Sequence, residues 1–420
     1  MSVKKHIFYV FVLVFTFAFI LRSYRLADTM IFASDQGEFL LDAASLLEEN
    51  KVRLIGIYVS SKQVEDKYFF IGSQFSYLLA FGQRLLGHEP YRLTLMFVFI
   101  NALTVAFSFM AAFKISGNLL ASVSASLIYA ANFFAIKYSR TIWNPALQPF
   151  LSVLVIFVVL YLRRRLRLQS LLAGLILGVS FAVEYSSVII FPVIIYLLVV
   201  RRKWRESIES LLFLAAGFLV GTLNLIVFDL RHDFYNSRLI IKYYLSYSGG
   251  VSFSPQHILP LLPFFCLGVA WLFTKVKRVR VLVMVVIGVI LLELGYFYIK
   301  LKDNNEVFGM PRSLTYKKID KAAKIVAADR PRNFNIAQLV DTDRRSFSLR
   351  YVLGYTHSLR GNMRGMDEYS LSDTLYVLHY SGQNVEQDGS YELSSFGSAR
   401  QVVDSWDLGD GIVVSKVIPQ

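Results

Sequence analysis

Through its first 300 residues the chain alternates long apolar runs with short polar connections that carry many of the cationic residues. The runs, roughly 15 to 22 residues long, lack the regular polar face that a helix on a water-soluble core would show. As helices of ~1.5 Å rise per residue they approach or match the ~30 Å hydrocarbon thickness of a bilayer. Nine spans are predicted, at 7–24, 91–113, 119–135, 146–162, 169–183, 186–200, 208–228, 256–274 and 281–299. The first follows Lys4-Lys5 in the manner of a signal sequence. Arg22, Tyr24 and Arg25 come after it in place of a small-residue cleavage site, which predicts an uncleaved anchor.

The basic clusters orient the spans. Lys4-Lys5, Lys114, Arg163-Arg164-Arg165 with Arg167, Arg201-Arg202-Lys203 with Arg205, and Lys275 to Arg280 fall at every second connection. Cationic residues hold such connections in the cytoplasm, so the N-terminus is expected inside and the C-terminus outside. Residues 68–87 would reverse everything downstream if they formed a tenth span. Ser73, Ser76, Ala80, Gln83 and Gly87 recur there at helical spacing, which predicts an amphipathic helix at the outer interface instead. The runs 169–183 and 186–200 reach only about 23 Å, so the tip at Glu184-Tyr185-Ser186 is expected to be recessed, as an acidic cavity floor open to the outside.

Beyond residue 300 the pattern shortens. Ser313 is placed to cap a helix running to Asp329, and 333–340, 346–353, 373–380 and 411–418 read as strands, with a hairpin turn at Leu408-Gly-Asp-Gly411. The predicted fold is therefore mainly α: a polytopic helical bundle with a small C-terminal extracytoplasmic α/β domain. Residues 1–300 form the membrane domain, including a first outer loop at 25–90 with interfacial helices, and 301–420 form the soluble domain.

Composition agrees with this pattern. Of 420 residues, 55% are hydrophobic and 18% charged, with a mean hydropathy of +0.49, against about a quarter charged in soluble chains. The net charge of +14 would suggest nucleic acid on a soluble domain; concentrated between spans it reports topology, and no nucleic-acid partner is expected. A single cysteine, Cys266, inside an apolar run, leaves no disulfide framework and no Cys-type metal site.

Topology then selects the candidate chemistry, because a site needs its groups on one face. Ser34-Asp35-Gln36-Gly37-Glu38, Lys137-Tyr138-Ser139-Arg140-Thr141-Ile142-Trp143-Asn144-Pro145 and Asp229-Leu230-Arg231-His232-Asp233-Phe234 all fall outside, with Glu184 beneath them. Transfer of a sugar from a membrane-bound carrier needs a carboxylate to take the acceptor proton and a cation to meet the charge growing on the leaving phosphate. Asp35 and Glu38 suit the first task. Arg140, Arg231 and a lysine near 62–67 suit the second. Each residue also has a plain structural role open to it: Asp35 as an N-cap, Glu38 on a solvated helix face, Arg140 as an interfacial anchor, and Asn144-Pro145 as the start of a span. His232 with Asp229 reads as a metal pair or as a salt-bridged loop. Glu184 lies at membrane depth, where an ionisable group marks function, whereas Glu293 can pair with Lys300 near the interface.

Asp35 and Glu38 just after the first span, the long outer loop, and Tyr138-Ser-Arg-Thr-Ile-Trp-Asn-Pro145 resemble the GT-C membrane glycosyltransferases. The likeness is to the family 39 branch, which includes protein mannosyltransferases and the lipid A aminoarabinose transferase. Phe228-Asp-Leu-Arg-His-Asp-Phe234 with Asn236-Ser-Arg238 is similar to the outer-loop segment of its prokaryotic members, and the resemblance covers residues 1–300. It implies a polyprenyl-phosphate-linked sugar as donor, inversion at the anomeric carbon and an outward-facing site in the cell membrane, with Asp35 at the position of the catalytic base. Acceptors in such families range from protein hydroxyls to lipids and cell-envelope glycans. The candidates for the donor phosphate are Arg140, Lys67 and Arg231, and those for the cavity are Tyr138, Asn144, Glu184, Tyr185 and His232. Some relatives carry a Glu-Lys-Pro-Pro stretch tied to metal and phosphate. Glu65-Asp-Lys67 here lacks the prolines, so use of a divalent metal is left open, with Asp35, Glu65 and His232 as its candidate ligands.

Two other classes compete. A transporter or lipid-linked-sugar flippase would show repeated halves and Gly- or Pro-broken spans near the midplane, and neither is evident. A non-catalytic member that only binds a partner would have no need of Asp35 and Arg140.

Overall fold

The computed structural model describes residues 3–200, 202–246, 254–276, 279–302, 314–341 and 343–420. Arg201, Lys277, Arg278 and the expected cap Ser313 lie outside them. The chain packs as two compact units. The first comprises residues 1–24, 49–78 and 95–299, and the second comprises 25–48, 79–94 and 300–420. Two pieces of the long loop after the first span, 25–48 and 79–94, thus pack with the C-terminal third of the chain.

The protein is a multi-pass helical membrane protein. Among the described residues six helices are long and apolar enough to cross a bilayer: Lys5–Ser23, Pro90–Ser116, Asn144–Tyr161, Leu166–Val183, Pro255–Lys275 and Arg280–Lys300. A seventh span results if Trp204–Gly221 and Leu223–Arg231, bent by 66°, count as one. Two of the nine expected spans fall short. The 119–135 run stops at Ala131, where Asn132 leaves helical geometry, and its Oδ1 accepts the Ala135 amide to start a second helix, Phe133–Tyr138. The 186–200 run opens as a 3₁₀ turn, Tyr185–Ile190, before the nine-residue helix Phe191–Val199.

Helices Leu166–Val183 and Trp204–Gly221 approach very closely, and small residues explain how. A Cβ on Gly174 would lie 2.0 Å from the Leu214 carbonyl oxygen, and one on Gly217 would lie 2.0 Å from that of Leu171. With Gly178 and Gly221, these form a small-residue pair on each helix at four-residue spacing, which lets two backbones meet in an apolar medium. The expected helix over 68–87 is only half present. β1 (Ile55–Val64) and β2 (Lys67–Gly72) form an antiparallel hairpin, and the helix begins at Gln74 and ends at Leu86. Glu65 and Asp66 both take positive φ, 51° and 58°, the geometry of a tight two-residue hairpin turn.

In the second unit a four-stranded sheet has the order β3-β4-β6-β5, with β3 (Phe334–Gln338) parallel to β4 (Thr374–Tyr380). β5 (Arg400–Gly409) and β6 (Ile412–Pro419) are antiparallel neighbours. The glycine-flanked turn expected at 408–411 joins β5 to β6, with Gly409, Asp410 and Gly411 all at positive φ. The helix Tyr316–Asp329 buries Ile319, Ala322, Ala323 and Val326, one stripe at helical spacing. Residues 346–353, expected as a strand, are helical instead: Phe347–Tyr351 followed by a π turn, Val352–Thr356. A continuously buried run has no amphipathic period to separate helix from strand. Residues 30–32 join this unit through Phe32 N to Leu314 O (3.1 Å) and Tyr316 N to Met30 O (3.0 Å).

Candidate active site

The expected catalytic carboxylates sit on the Ser34–Glu49 helix of the second unit. Asp35, Glu38 and Asp42 recur at three- and four-residue spacing and so share one helix face. The Ala33 amide donates to Gln36 Oε1 at 2.9 Å, and the Ser34 amide donates to Asp341 Oδ2 at 3.1 Å. Gly37 has no space for a side chain, since a Cβ there would lie 2.2 Å from the Ser348 nitrogen.

Each of these carboxyl groups keeps part of its surface open while protein surrounds the rest. Burial, followed by the nearby Asp341 and Asp343, raises Asp35 to about 6. Glu38 rises further, to about 8, through burial and then the charges of Asp35, Asp343 and Asp42, with Arg345 opposing. Asp343 is also raised, chiefly by burial, against the pull of the Arg345 amide and guanidinium. At neutral pH, Asp35 is therefore mostly ionised and able to accept a proton, while Glu38 mostly holds one. Neither Asp341 nor Asp343 emerged from the sequence. They lie some three hundred residues from Asp35, with no local pattern joining them.

The first unit gathers a second group. Asn144 donates through Nδ2 to the Val183 carbonyl (2.9 Å) and to Glu184 Oε2 (2.8 Å), while Glu184 Oε1 accepts the Ser186 amide at 3.3 Å. Glu184 thus caps the 3₁₀ turn where the expected acidic tip lies. The Tyr185 hydroxyl donates to the Phe70 carbonyl and accepts from Asn236 Nδ2 at 3.2 Å. Asn236, part of the 228–238 motif but given no role there, also receives the Phe70 amide on Oδ1 at 2.7 Å. Tyr138 is buried and stacks on Trp143 with ring centres 6.0 Å apart. Arg140 is buried too; its Nη1 donates to the Tyr24 carbonyl at 2.7 Å and its guanidinium lies 5.8 Å from the Phe297 ring centre.

The remaining candidates are spread out. Lys67 and Arg231 are exposed. Lys242 Nζ lies 3.1 Å from both carboxylate oxygens of Glu65. His232 stacks on Phe228, with Nδ1 2.8 Å from the Phe228 carbonyl oxygen. Asp229 accepts the amides of Asn236 and Ser237, so it serves the start of the next helix and makes neither a metal pair nor an ion pair with His232 among the described contacts. Glu293 accepts from Asn132 Nδ2 (3.0 Å) and the Phe133 amide (2.8 Å), which satisfies the helix break. Among the described residues no three His, Cys, Asp or Glu side chains are placed to hold a metal ion. Glu65 and His232 make the contacts given above, and no step below uses a metal ion.

The architecture is thus a polytopic membrane bundle joined to a C-terminal α/β unit, with a partly buried acidic group at the start of the first loop helix. No protein-family model matches the chain, and no curated protein does. Among solved structures, its fold is similar to the crystal structure of ArnT from Cupriavidus metallidurans bound to undecaprenyl phosphate. The TM-score is 0.55 at 10% identity, over 99% of this chain and 98% of that one. This likeness runs over the full length of both chains and is a likeness in fold.

Proposed function

We propose that the protein is an integral-membrane glycosyltransferase that moves a sugar from a polyprenyl-phosphate donor to an acceptor at the extracytoplasmic face. The observation that carries this reading is Asp35, a partly buried carboxyl group raised to about 6, in a fold like that of a chain solved with undecaprenyl phosphate. A base tuned near the working pH is what removal of an acceptor proton requires.

In the proposed step, the acceptor oxygen attacks the anomeric carbon from the face opposite the phosphate. The bond between that carbon and the phosphate oxygen breaks, the carrier phosphate leaves with the electron pair, and the acceptor proton passes to Asp35. Glu38, mostly protonated at neutral pH, does not compete as the base. Arg140, Lys67 and Arg231 are the proposed phosphate ligands. Tyr138, Asn144, Glu184, Tyr185 and His232 are the proposed cavity residues.

A carrier or flippase reading draws on one observation, the 66° break between Trp204–Gly221 and Leu223–Arg231, because discontinuous spans occur in transporters. Incubation of the purified protein in vesicles with a panel of radiolabelled polyprenyl-phosphate sugars tests both readings. Label appearing on an acceptor supports transfer. Label that changes leaflet but stays on the carrier supports the rival.

A further inference from the structure

The first turn of a helix leaves amides without intrahelical partners, and a side chain close in sequence usually satisfies them. At the Ser34–Glu49 helix the partner comes from the far end of the chain. The Ser34 amide donates to Asp341 Oδ2 at 3.1 Å. The Ser34 hydroxyl accepts from Nε2 of Gln338, a fully buried residue at the end of β3, and the same nitrogen donates to the Asp343 carbonyl at 2.7 Å. Ser346 Oγ, also buried, donates to Gln338 Oε1 at 3.3 Å. On the other side of Asp35, the Gly37 backbone presses against Phe347 and Ser348. Gln338, Asp341, Phe347 and Ser348 therefore grip the chain immediately before and two residues after Asp35.

We propose that Asp341 and Gln338 are positioning residues for Asp35, so that the C-terminal α/β segment is part of the transfer site and not an appended module. The inference rests on Asp35 being the proton acceptor. Asp341 fixes the first amide of the turn and Gln338 fixes both the Ser34 hydroxyl and the loop that carries Asp341. Releasing either lets the Asp35 carboxylate drift while the donor's binding groups stay as they were. Reaction rates are steep in such displacements, with about 10²-fold lost per ångström.

The test uses the full-length protein in detergent with a polyprenyl-phosphate sugar donor. Asp341→Ala removes the acceptor for the Ser34 amide, whereas Asp341→Asn keeps an oxygen there. The expected result for Asp341→Ala is a kcat lower by roughly 10- to 100-fold per folded molecule, with donor KM within about twofold, and recovery to within about threefold of wild type in Asp341→Asn. Gln338→Leu is expected to follow Asp341→Ala. In hydrogen–deuterium exchange, residues 31–38 should exchange at least about tenfold faster in Asp341→Ala and at the wild-type rate in Asp341→Asn. Unchanged kcat in Asp341→Ala, equal loss in Asp341→Asn, or unchanged exchange over 31–38 would each overturn the proposal. A wild-type protein with no transfer from any donor would remove the base reading, and the kinetic role with it. The exchange result would then show by itself whether Asp341 holds the turn.

Discussion

Gly37 and Ser348 meet backbone to backbone: a Cβ on Gly37 would lie 2.2 Å from the Ser348 nitrogen and 2.3 Å from the Phe347 carbonyl carbon. Backbone atoms cannot rotate aside as a flexible side chain can. Gly37→Ala must therefore push the loop helix away from the Phe347–Tyr351 helix, at a cost of about 2 kcal/mol, the usual range for overpacking. Thermal unfolding in detergent should show a lower midpoint for Gly37→Ala. An unchanged midpoint would mean that the two backbones are not in contact.

Glu38 supplies a prediction with a definite sign in pH. Its carboxyl is raised from 4.5 to about 8 in the folded protein, so folding takes up protons between those values. Its contribution to stability is complete below pH 4.5 and is lost as the pH rises through about 8. Glu38→Gln, which has no charge to bury, should melt at a higher temperature than wild type at pH 8.5. At pH 4 the two should melt alike. A gap equal at both pH values would contradict the origin assigned here to the shift.

Asn144 makes the opposite test in the first unit. Its amide donates to both Val183 O and Glu184 Oε2, so the near-isosteric Asn144→Asp sets a carboxylate against a carboxylate. That change should destabilise by about 2 kcal/mol or more, exceeding Asn144→Ala despite its better shape. Adding Glu184→Gln to Asn144→Asp should restore much of the loss. Independent, additive effects of the two substitutions in the melting temperature would sink this account.

The close pair of helices at Gly174 and Gly217 should not tolerate bulk. Gly174→Leu or Gly217→Leu has no room beside the facing carbonyl oxygens, each 2.0 Å from the Cβ position, and should cost about 3 kcal/mol or prevent folding. Gly268 and Gly288, with open space around their Cβ positions, serve as controls and should accept alanine with much smaller effects. Equal losses at all four positions would show that helix propensity, not packing, governs this region.

How much of this was legible in the sequence follows from the range of the forces involved. Apolar runs report local transfer into the bilayer, and the helices at 3–23, 90–116 and 166–183 fall close to expectation. The interruptions were harder to see. Asn132 breaks its run because its side chain can cap the next turn and because Glu293, far away in sequence, receives the freed donors. The 346–353 helix was hidden because its residues are buried on all sides, which erases the period. The paired glycines at 174, 178, 217 and 221 were present in the sequence as a small-residue spacing, and reading them would have predicted the close helices. Asp35 stood out through its place after the first span. Its neighbours Asp341 and Asp343 could not, since only tertiary folding carries them to it.

The central claim is that Asp35 accepts the acceptor's proton. The direct measurement is the rate of sugar transfer against pH for wild type and Asp35→Asn, with donor binding measured on the same samples. The account predicts that wild-type transfer rises as the pH passes through about 6 and that Asp35→Asn binds donor normally while transferring at least about 10²-fold more slowly. Transfer by Asp35→Asn at the wild-type rate, with the same acid limb, would contradict it.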